Sequence, residues 1–237
     1  MLGNLHQRVL SDLGRQIVSG ELAPGSTMQS ERLEHTHSVS RSVVREAIRV
    51  LQSLGMVETV KRVGIRVLPM ERWNLYDPLV IRWRLARDDN GAQLRSLTEL
   101  RSAVEPRAAE LAATHAPEAV ASELLALAAR MRSVGRSGDL QLFLELDIHF
   151  HALVLSASGN EMFARLDGVI AEVLTGRTDQ GLMPDRPHEE ALQLHVDVAD
   201  AIQAQRPAEA FAAMDKIMQR TFTEVESIWS DEPRLYL

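Results

Sequence analysis

Three side chains in the C-terminal half have types and spacing that could do chemistry together. In ELDIHFHALVLSASGN, residues 145–160, Asp147 and His151 stand four apart, so on a helix both project from one face and can converge on a point. His149 lies about 200° round the same helix from Asp147 and belongs to another face. A third donor, His195, falls in a later stretch, LQLHVDVADAIQ. One carboxylate and two imidazoles from two helices suit a divalent ion such as zinc, nickel or manganese. With eight histidines in the chain, an Asp/His pair at this spacing also arises by chance, and spacing alone leaves both readings open.

Arg101 is the next candidate. Leu97, Leu100, Val104 and Ala108 surround it on a helix, and Glu105 sits one turn on. It could make an intrahelical ion pair with Glu105, worth roughly a few tenths of a kcal/mol. Alternatively its planar fork turns inward and takes a ligand carboxylate bidentately.

A different chemistry is suggested by SVSRSVVREAIRVLQSL, residues 38–54. A helix starting after Ser40 stacks Val44, Ala47, Ile48 and Leu51 on one stripe and leaves Arg41, Ser42, Arg45 and Arg49 off it. Ser40 is placed to cap that helix through its hydroxyl. Alone, such a helix could simply be a solvated surface helix. With a buried back and a Ser/Arg front, however, it has the dimensions to enter a DNA major groove.

The elements that must position these residues follow from periodicity and breakers. Leu5, Val9, Leu13 and Ile17 recur every fourth residue and predict a helix over 4–20, closed by Gly20 and the Pro24-Gly25-Ser26 loop. Ser30 can cap a short second helix, ERLEHTHS. After the 41–54 helix come Gly55 and two β-rich runs, Met56–Val60 and Ile65–Leu68, around the basic tip Lys61-Arg62-Val63-Gly64. Helix, turn, helix and a hairpin with a basic tip make a winged helix-turn-helix. Beyond Glu71 helices are predicted at about 75–87, 92–114, 118–134, 139–157, 160–177, 188–204 and 207–229, separated by Gly, Pro and Asn breakers.

Composition fits this division. The chain has 237 residues, no cysteine and a net charge of −7, and no apolar run reads as a membrane span or signal peptide. Residues 1–70 hold nine basic groups against six acidic ones, a net +3, so the remainder carries −10. A cationic head on an acidic body suits a DNA reader whose second domain stays off the phosphates.

The motifs GELAPGS, SER, VSRSVVREAIRVLQSLGMVE and VGIRV, spread over residues 5–68, resemble the DNA-binding domain of the GntR family of bacterial transcription regulators. That resemblance implies that Arg32, Ser40, Arg41, Ser42 and Arg45 touch phosphates and base edges, joined by Arg49 on the same helix. Lys61, Arg62 and Arg66 would grip phosphates, and Gly64 would approach the minor groove by its backbone. Two departures stand out: the Glu31–Arg41 segment is one residue shorter than usual, and His37 occupies a position normally apolar.

LRSAVEPRAAELAA at 100–113, the Asp147/His151 pair, SGN at 158–160 and His195 resemble the FCD effector domain of the FadR subfamily. Such domains are helical bundles that commonly hold a metal through one Asp and three His, with a carboxylate effector beside it. Here Ile217 or a neighbour falls where the third His is usual. RWNLYDPLVIRWRL at 72–85 and VEP at 104–106 resemble the regulators of galactonate and related sugar-acid catabolism, a subgroup that tends to lack that histidine. The absence of further strands and the chain length are unlike the β-rich and aminotransferase-fused branches of the family.

The resulting expectation is a mainly α protein: a winged helix-turn-helix (three helices plus a hairpin wing) over residues 1–70, a linker and first effector helix over 71–87, and an all-helical ligand-binding and dimerisation bundle over 88–237. By the resemblance it is a cytoplasmic, homodimeric, non-enzymatic repressor of operator DNA. Its effector would be an aldonic acid held by Arg101, Asp147, His151 and His195, the last three also holding any divalent metal. Two rivals are a metal-dependent hydrolase or isomerase built on the same three residues, and a constitutive DNA-binding protein without an effector.

Overall fold

The fourfold recurrence of Leu5, Val9, Leu13 and Ile17 becomes the inner face of α1, Leu2–Val18, in the computed structural model of the protein, which describes residues 2–184 and 186–234. Two units separate by their internal packing, one reaching to Asn90 and the other spanning Gly91–Arg234.

In the first unit α1 is followed by β1 (Thr27–Met28), α2 (Ser30–His37), α3 (Arg41–Ser53), β2 (Val57–Val60) and β3 (Gly64–Val67). The expected stripe of α3 is buried in full: Val44, Ala47, Ile48 and Leu51, joined by Val43, face Val9, Leu13 and Ile17 in one apolar core. β2 and β3 form the anticipated antiparallel hairpin, with Glu58 opposite Arg66 and Val60 opposite Gly64. β1 adds a third strand against β3, pairing Met28 with Ile65, so the sheet order is β1-β3-β2. Two residues between a glycine turn and a helix carry no periodicity, which is why β1 escapes a sequence reading.

The helix caps differ from expectation. Ser30 is the first residue of α2 and Gln29 precedes it as N-cap. Ser40 does occupy the N-cap of α3, but its hydroxyl makes no bond to the helix backbone and pairs at 2.9 Å with the hydroxyl of Ser42. The stretch 71–87, expected as linker plus first effector helix, holds the end of a 3-10 turn, Met70–Arg72, and α4, Pro78–Leu85, whose start is set by Asp77 accepting from the Leu79 amide and by Pro78 at the first helical position. α4 belongs to the first unit. Val80 and Trp83 complete the N-terminal core, and a Cβ on Gly14 of α1 would come within 2.5 Å of the Trp83 ring. Asn90 donates to the Leu85 and Arg87 carbonyls and closes this segment, so the break lies at 90/91.

The second unit is wholly helical: α5 (Gly91–His115), α6 (Glu118–Ser137), α7 (Leu140–Ala157), α8 (Glu161–Ala164), α9 (Asp167–Asp179), α10 (Glu189–Gln203) and α11 (Pro207–Trp229). α11 runs along α5, α10 packs on α6 and α11, and α7 lies among α5, α6 and α9. The single helix expected over 160–177 is two. Asn160 caps α8 through the Met162 and Phe163 amides, and a turn at Arg165-Leu166 precedes α9, whose first residue Asp167 accepts from the Gly168 amide.

α7 deserves a second description. Against the expectation that no run reaches membrane-span length, its 18 residues are apolar and long enough to cross a membrane by length and composition. That apolarity goes into the bundle: Phe143, Leu144, Leu146, Phe150, Val154 and Leu155 are buried among the other helices. Its one strongly polar inward edge, Asp147 and His151, is buried as well.

Candidate functional site

The i, i+4 spacing on α7 carries Asp147 and His151 into the middle of the second unit, and α10 brings His195 to the same point. Asp147 Oδ1 lies 3.4 Å from His151 Nε2 and 3.2 Å from His195 Nε2. One donor atom from each residue fits within 4.8 Å of the other two, and all three residues are buried. His149 is exposed on the outside of α7, facing Glu123, as its position on the helix predicts.

The other ring nitrogens are already committed. His195 Nδ1 is 2.8 Å from the Ala191 carbonyl, one turn back on α10, so its N–H donates there. His151 Nδ1 meets Glu105 Oε2 in a very short contact. A ring whose Nδ1–H is tied to a carbonyl or carboxylate presents Nε2 as a lone pair, the arrangement that orients histidine ligands at metal centres. Asp147 Oδ1 and His195 Nε2 are both sealed from solvent and without a hydrogen-bond partner. Leaving such atoms unsatisfied costs about 1–3 kcal/mol each. The donor set therefore fits a divalent ion held by Asp147, His151 and His195. Ile217 lines the same cavity as a buried apolar wall and offers no fourth protein ligand.

Arg101 realises both sequence readings at once. It is 1% exposed, and its Nε donates to Glu105 Oε1 at 2.5 Å, so the intrahelical pair exists, but inside the bundle rather than on the surface. Its Nη2 is 3.5 Å from His151 Nε2, and Nη1 is buried with no partner. The bidentate fork is thus partly taken by Glu105, and Nη1 is the donor left for a ligand. Glu105 joins the pair to the cluster by accepting from both Arg101 and His151.

Charge pairing sets the protonation of the group. Burial pushes the Glu105 carboxyl up, but Arg101 and His151 outweigh it and hold its pKa at about 2. Asp147 is likewise driven well below the usual carboxylate range: burial opposes ionisation, and His151 and His195 overcome it. Burial acts to lower His151, yet the flanking Glu105 and Asp147 carboxylates raise it to about 9.

A pocket open to solvent at its mouth lies beside these residues, about 550 Å³ when the solvent in that mouth is counted. Phe143, Leu174, Leu194 and Ile217 supply apolar wall, and Arg101, Asp147, His151 and His195 open onto it. It also gathers Arg177, a residue that the sequence reading passed over. Arg177 of α9 is 3% exposed, with Nη1 3.4 Å from Thr221 Oγ1 and Nη2 3.1 Å from Glu224 Oε2. A signal for Arg177 was present: it stands at i+7 from Ile170, i+4 from Val173 and i+3 from Leu174, on the apolar stripe of its helix. Arg220, which pairs with Glu190 and Glu224, lines the cavity too, as does His188.

The nucleic-acid candidates lie on the surface of the first unit. Arg32, Ser40, Arg41, Ser42, Arg45 and Arg49 are exposed around α2 and α3, and Lys61 and Arg62 are exposed at the hairpin tip. Arg49 is engaged with Glu46 at 2.7 Å and Arg45 is 3.8 Å from the same carboxylate. Among the described residues, Arg32, Arg41, Lys61 and Arg62 form no ion pair. Arg66, by contrast, is tied to Glu58 at 2.6 Å. Gly64 has a structural reason of its own: at φ 112° a Cβ would meet the Met28 carbonyl oxygen at 2.5 Å. Gln29 holds the tip by donating to the Val63 carbonyl at 2.7 Å.

Comparison with known proteins agrees with this geometry. Residues 5–67 match the bacterial regulatory proteins of the gntR family, and residues 96–220 match the FCD domain. The galactonate operon transcriptional repressor of Escherichia coli strain K12 is 29% identical over 204 residues, covering 85% of this chain and 88% of that protein. The Exu regulon transcriptional regulator of the same strain is 28% identical, over 81% of this chain and 68% of that protein. Among solved structures, E. coli McbR/YncC shares the fold with a TM-score of 0.54 at 17% identity, over 95% of this chain and 98% of that one.

Proposed function

We propose, from the premise that this chain belongs to the gntR family of bacterial regulatory proteins and carries an FCD domain, that it represses a sugar-acid catabolic operon and that a small carboxylate held in the helical unit controls its grip on DNA. Membership makes it a DNA-binding transcription regulator, not an enzyme, which disposes of the hydrolase or isomerase reading of Asp147, His151 and His195. The relatives named for galactonate and Exu regulation support a sugar acid as effector.

The observation that carries the effector reading is the convergence of buried donors and acceptors without hydrogen-bond partners among the described residues, Arg101 Nη1, Asp147 Oδ1 and His195 Nε2, on one pocket. Asp147, His151 and His195 would hold a divalent ion. When bound, it supplies a Lewis-acidic seat for one carboxylate oxygen. Arg101, kept in place by Glu105, donates Nη1–H toward the same carboxylate. Glu105 and the Ala191 carbonyl fix the two imidazoles, and the apolar wall excludes water from the pairings.

On the DNA side, two copies acting in the cytoplasm as a homodimer would present two α3 helices to a pseudo-palindromic operator. Arg41 and Arg45 read base edges, while Arg32, Lys61 and Arg62 grip phosphates. Ser40 and Ser42, paired with each other, leave the Arg41 and Ser42 amides at the start of α3 for a phosphate. An effector that favours one arrangement of the two heads over another changes operator affinity by its differential affinity for those arrangements.

The test uses full-length, zinc-loaded protein. D-galactonate or a related aldonic acid should raise its melting temperature and shift the mobility-shift titration of its own promoter fragment. Absence of stabilisation by every aldonic and uronic acid tried would leave a constitutive DNA-binding protein and sink the effector half of the proposal.

A further inference from the structure

We propose that Arg177, Thr221 and Glu224 form a hydroxyl-reading subsite for the far end of the effector, making the cavity selective for an open-chain polyhydroxy acid with a single carboxylate. This rests on the effector reading above and adds which residues choose among acids.

The first observation is Arg177 itself. A guanidinium 3% exposed is costly unless fully used, yet its Nε is buried without a partner among the described residues while the side chain lines the cavity. Its two Nη groups are occupied, one by the Thr221 hydroxyl at 3.4 Å and one by Glu224 at 3.1 Å. With its charge matched by Glu224 and both Nη groups already engaged, Nε is the one nitrogen of Arg177 left without a partner among the described residues. That suits a neutral oxygen better than a carboxylate, which would call for the bidentate fork.

The second observation is the company of Arg177. Thr221 is a buried hydroxyl able to donate and accept, and Glu224 is an acceptor-only carboxylate at the cavity lining. A lone donor, a two-way hydroxyl and an acceptor are the complement of sugar hydroxyls, each of which donates once and accepts. These three come from α9 and α11, whereas Arg101, Asp147, His151 and His195 come from α5, α7 and α10. One cavity thus carries an anion-holding set and a hydroxyl-matching set on different helices.

Charge accounting points the same way. Arg101 is paired with Glu105, Arg177 with Glu224 and Arg220 with Glu190, so once His151 gives up its proton to a divalent ion, Asp147 is the anion of the lining without a cationic side chain. A divalent ion on Asp147 leaves one positive charge over, which one carboxylate neutralises. A second carboxylate on the ligand would sit beside Glu224 with no free cation.

Calorimetry on zinc-loaded, full-length protein with glycolate, glycerate, D-galactonate and galactarate tests this directly. Affinity should climb with hydroxyl count, by roughly a hundredfold from glycolate to galactonate, on the scale of two good hydrogen bonds. Galactarate, with a carboxylate at each end, should bind at least about tenfold more weakly than galactonate. Thr221→Val and Glu224→Gln should each remove about tenfold from galactonate while glycolate stays within about twofold. A flat ladder across the acids, tighter binding of galactarate, or equal loss for glycolate and galactonate in both variants would overturn the subsite. Failure of the wild type to bind any of the four acids would instead overturn the effector reading, and this inference with it.

Discussion

At the scale of single residues the helical unit turns on His151, which sits between Glu105 and Asp147 in an environment where burial alone would discharge it. With no metal bound, the two carboxylates win and its pKa rises from 6.5 to about 9. Its contribution to stability is therefore complete below pH 6.5 and disappears as pH climbs through about 9. A metal reverses the sign, because an imidazole ligates only after losing its Nε2 proton. Chelator-treated protein should lose melting temperature between pH 6.5 and 9, while the extra stabilisation given by added zinc should grow over the same interval. Glu105→Gln should flatten the chelator-treated profile. A profile already flat in the wild type would show that Glu105 and Asp147 do not keep His151 cationic. The same geometry makes Arg101→Ala a poor probe of ligand binding: it strands the buried Glu105 carboxylate, a loss of about 3–5 kcal/mol in its own right.

At the scale of elements, α3 is the clearest unit, with one face buried against α1 and the other carrying Arg41, Ser42, Arg45 and Arg49 beside Glu46 and Gln52. Arg41 and Arg49 lie two turns apart on that exposed face, but Arg49 is engaged by Glu46 and Arg41 makes no ion pair among the described residues. Arg41→Ala should weaken operator binding by about 1–3 kcal/mol and relax preference at the bases it faces. Arg49→Ala, which gives up an exposed pair first, should cost distinctly less. Equal losses in a mobility-shift titration would contradict this ranking. The sequence made α3 legible because periodicity, a stop signal at Gly55 and the charged front all agree. Asp147, His151 and His195 were legible as candidates, since helix spacing alone brings the first two together. What it hid were the partners that come from elsewhere: Glu105 of α5 reaching His151 of α7, and Thr221 and Glu224 of α11 meeting Arg177. Sequence spacing carries neither. The break of the 160–177 helix was likewise masked, because Asp167-Gly168 is compatible with both a helix interior and a helix start.

At the scale of the whole molecule the chain carries −7, and on that figure alone DNA should repel it. The charge is not spread evenly: residues 1–70 hold +3 and the rest −10, and the exposed Arg32, Arg41, Lys61 and Arg62 all belong to the positive part. The two views give opposite signs for the effect of salt. If overall charge governed the encounter, added salt would screen repulsion and tighten binding. If the head governs it, salt must weaken binding through counterion return to the phosphates. Three phosphate-facing cations per protomer (Arg32, Lys61 and Arg62) in a dimer would give about six contacts and a log–log slope near −5, or about a thousandfold loss between 50 and 200 mM salt. Replacing Lys61 and Arg62 by Ala removes about four of those contacts. It should bring the slope to roughly −2 while leaving the ranking of operator variants unchanged, if wing contacts position the protein and α3 reads the bases. Fluorescence anisotropy across a salt series checks both numbers. A positive slope in the wild type, or a slope that the double replacement leaves untouched, would mean that the basic tip of the hairpin is not at the phosphates.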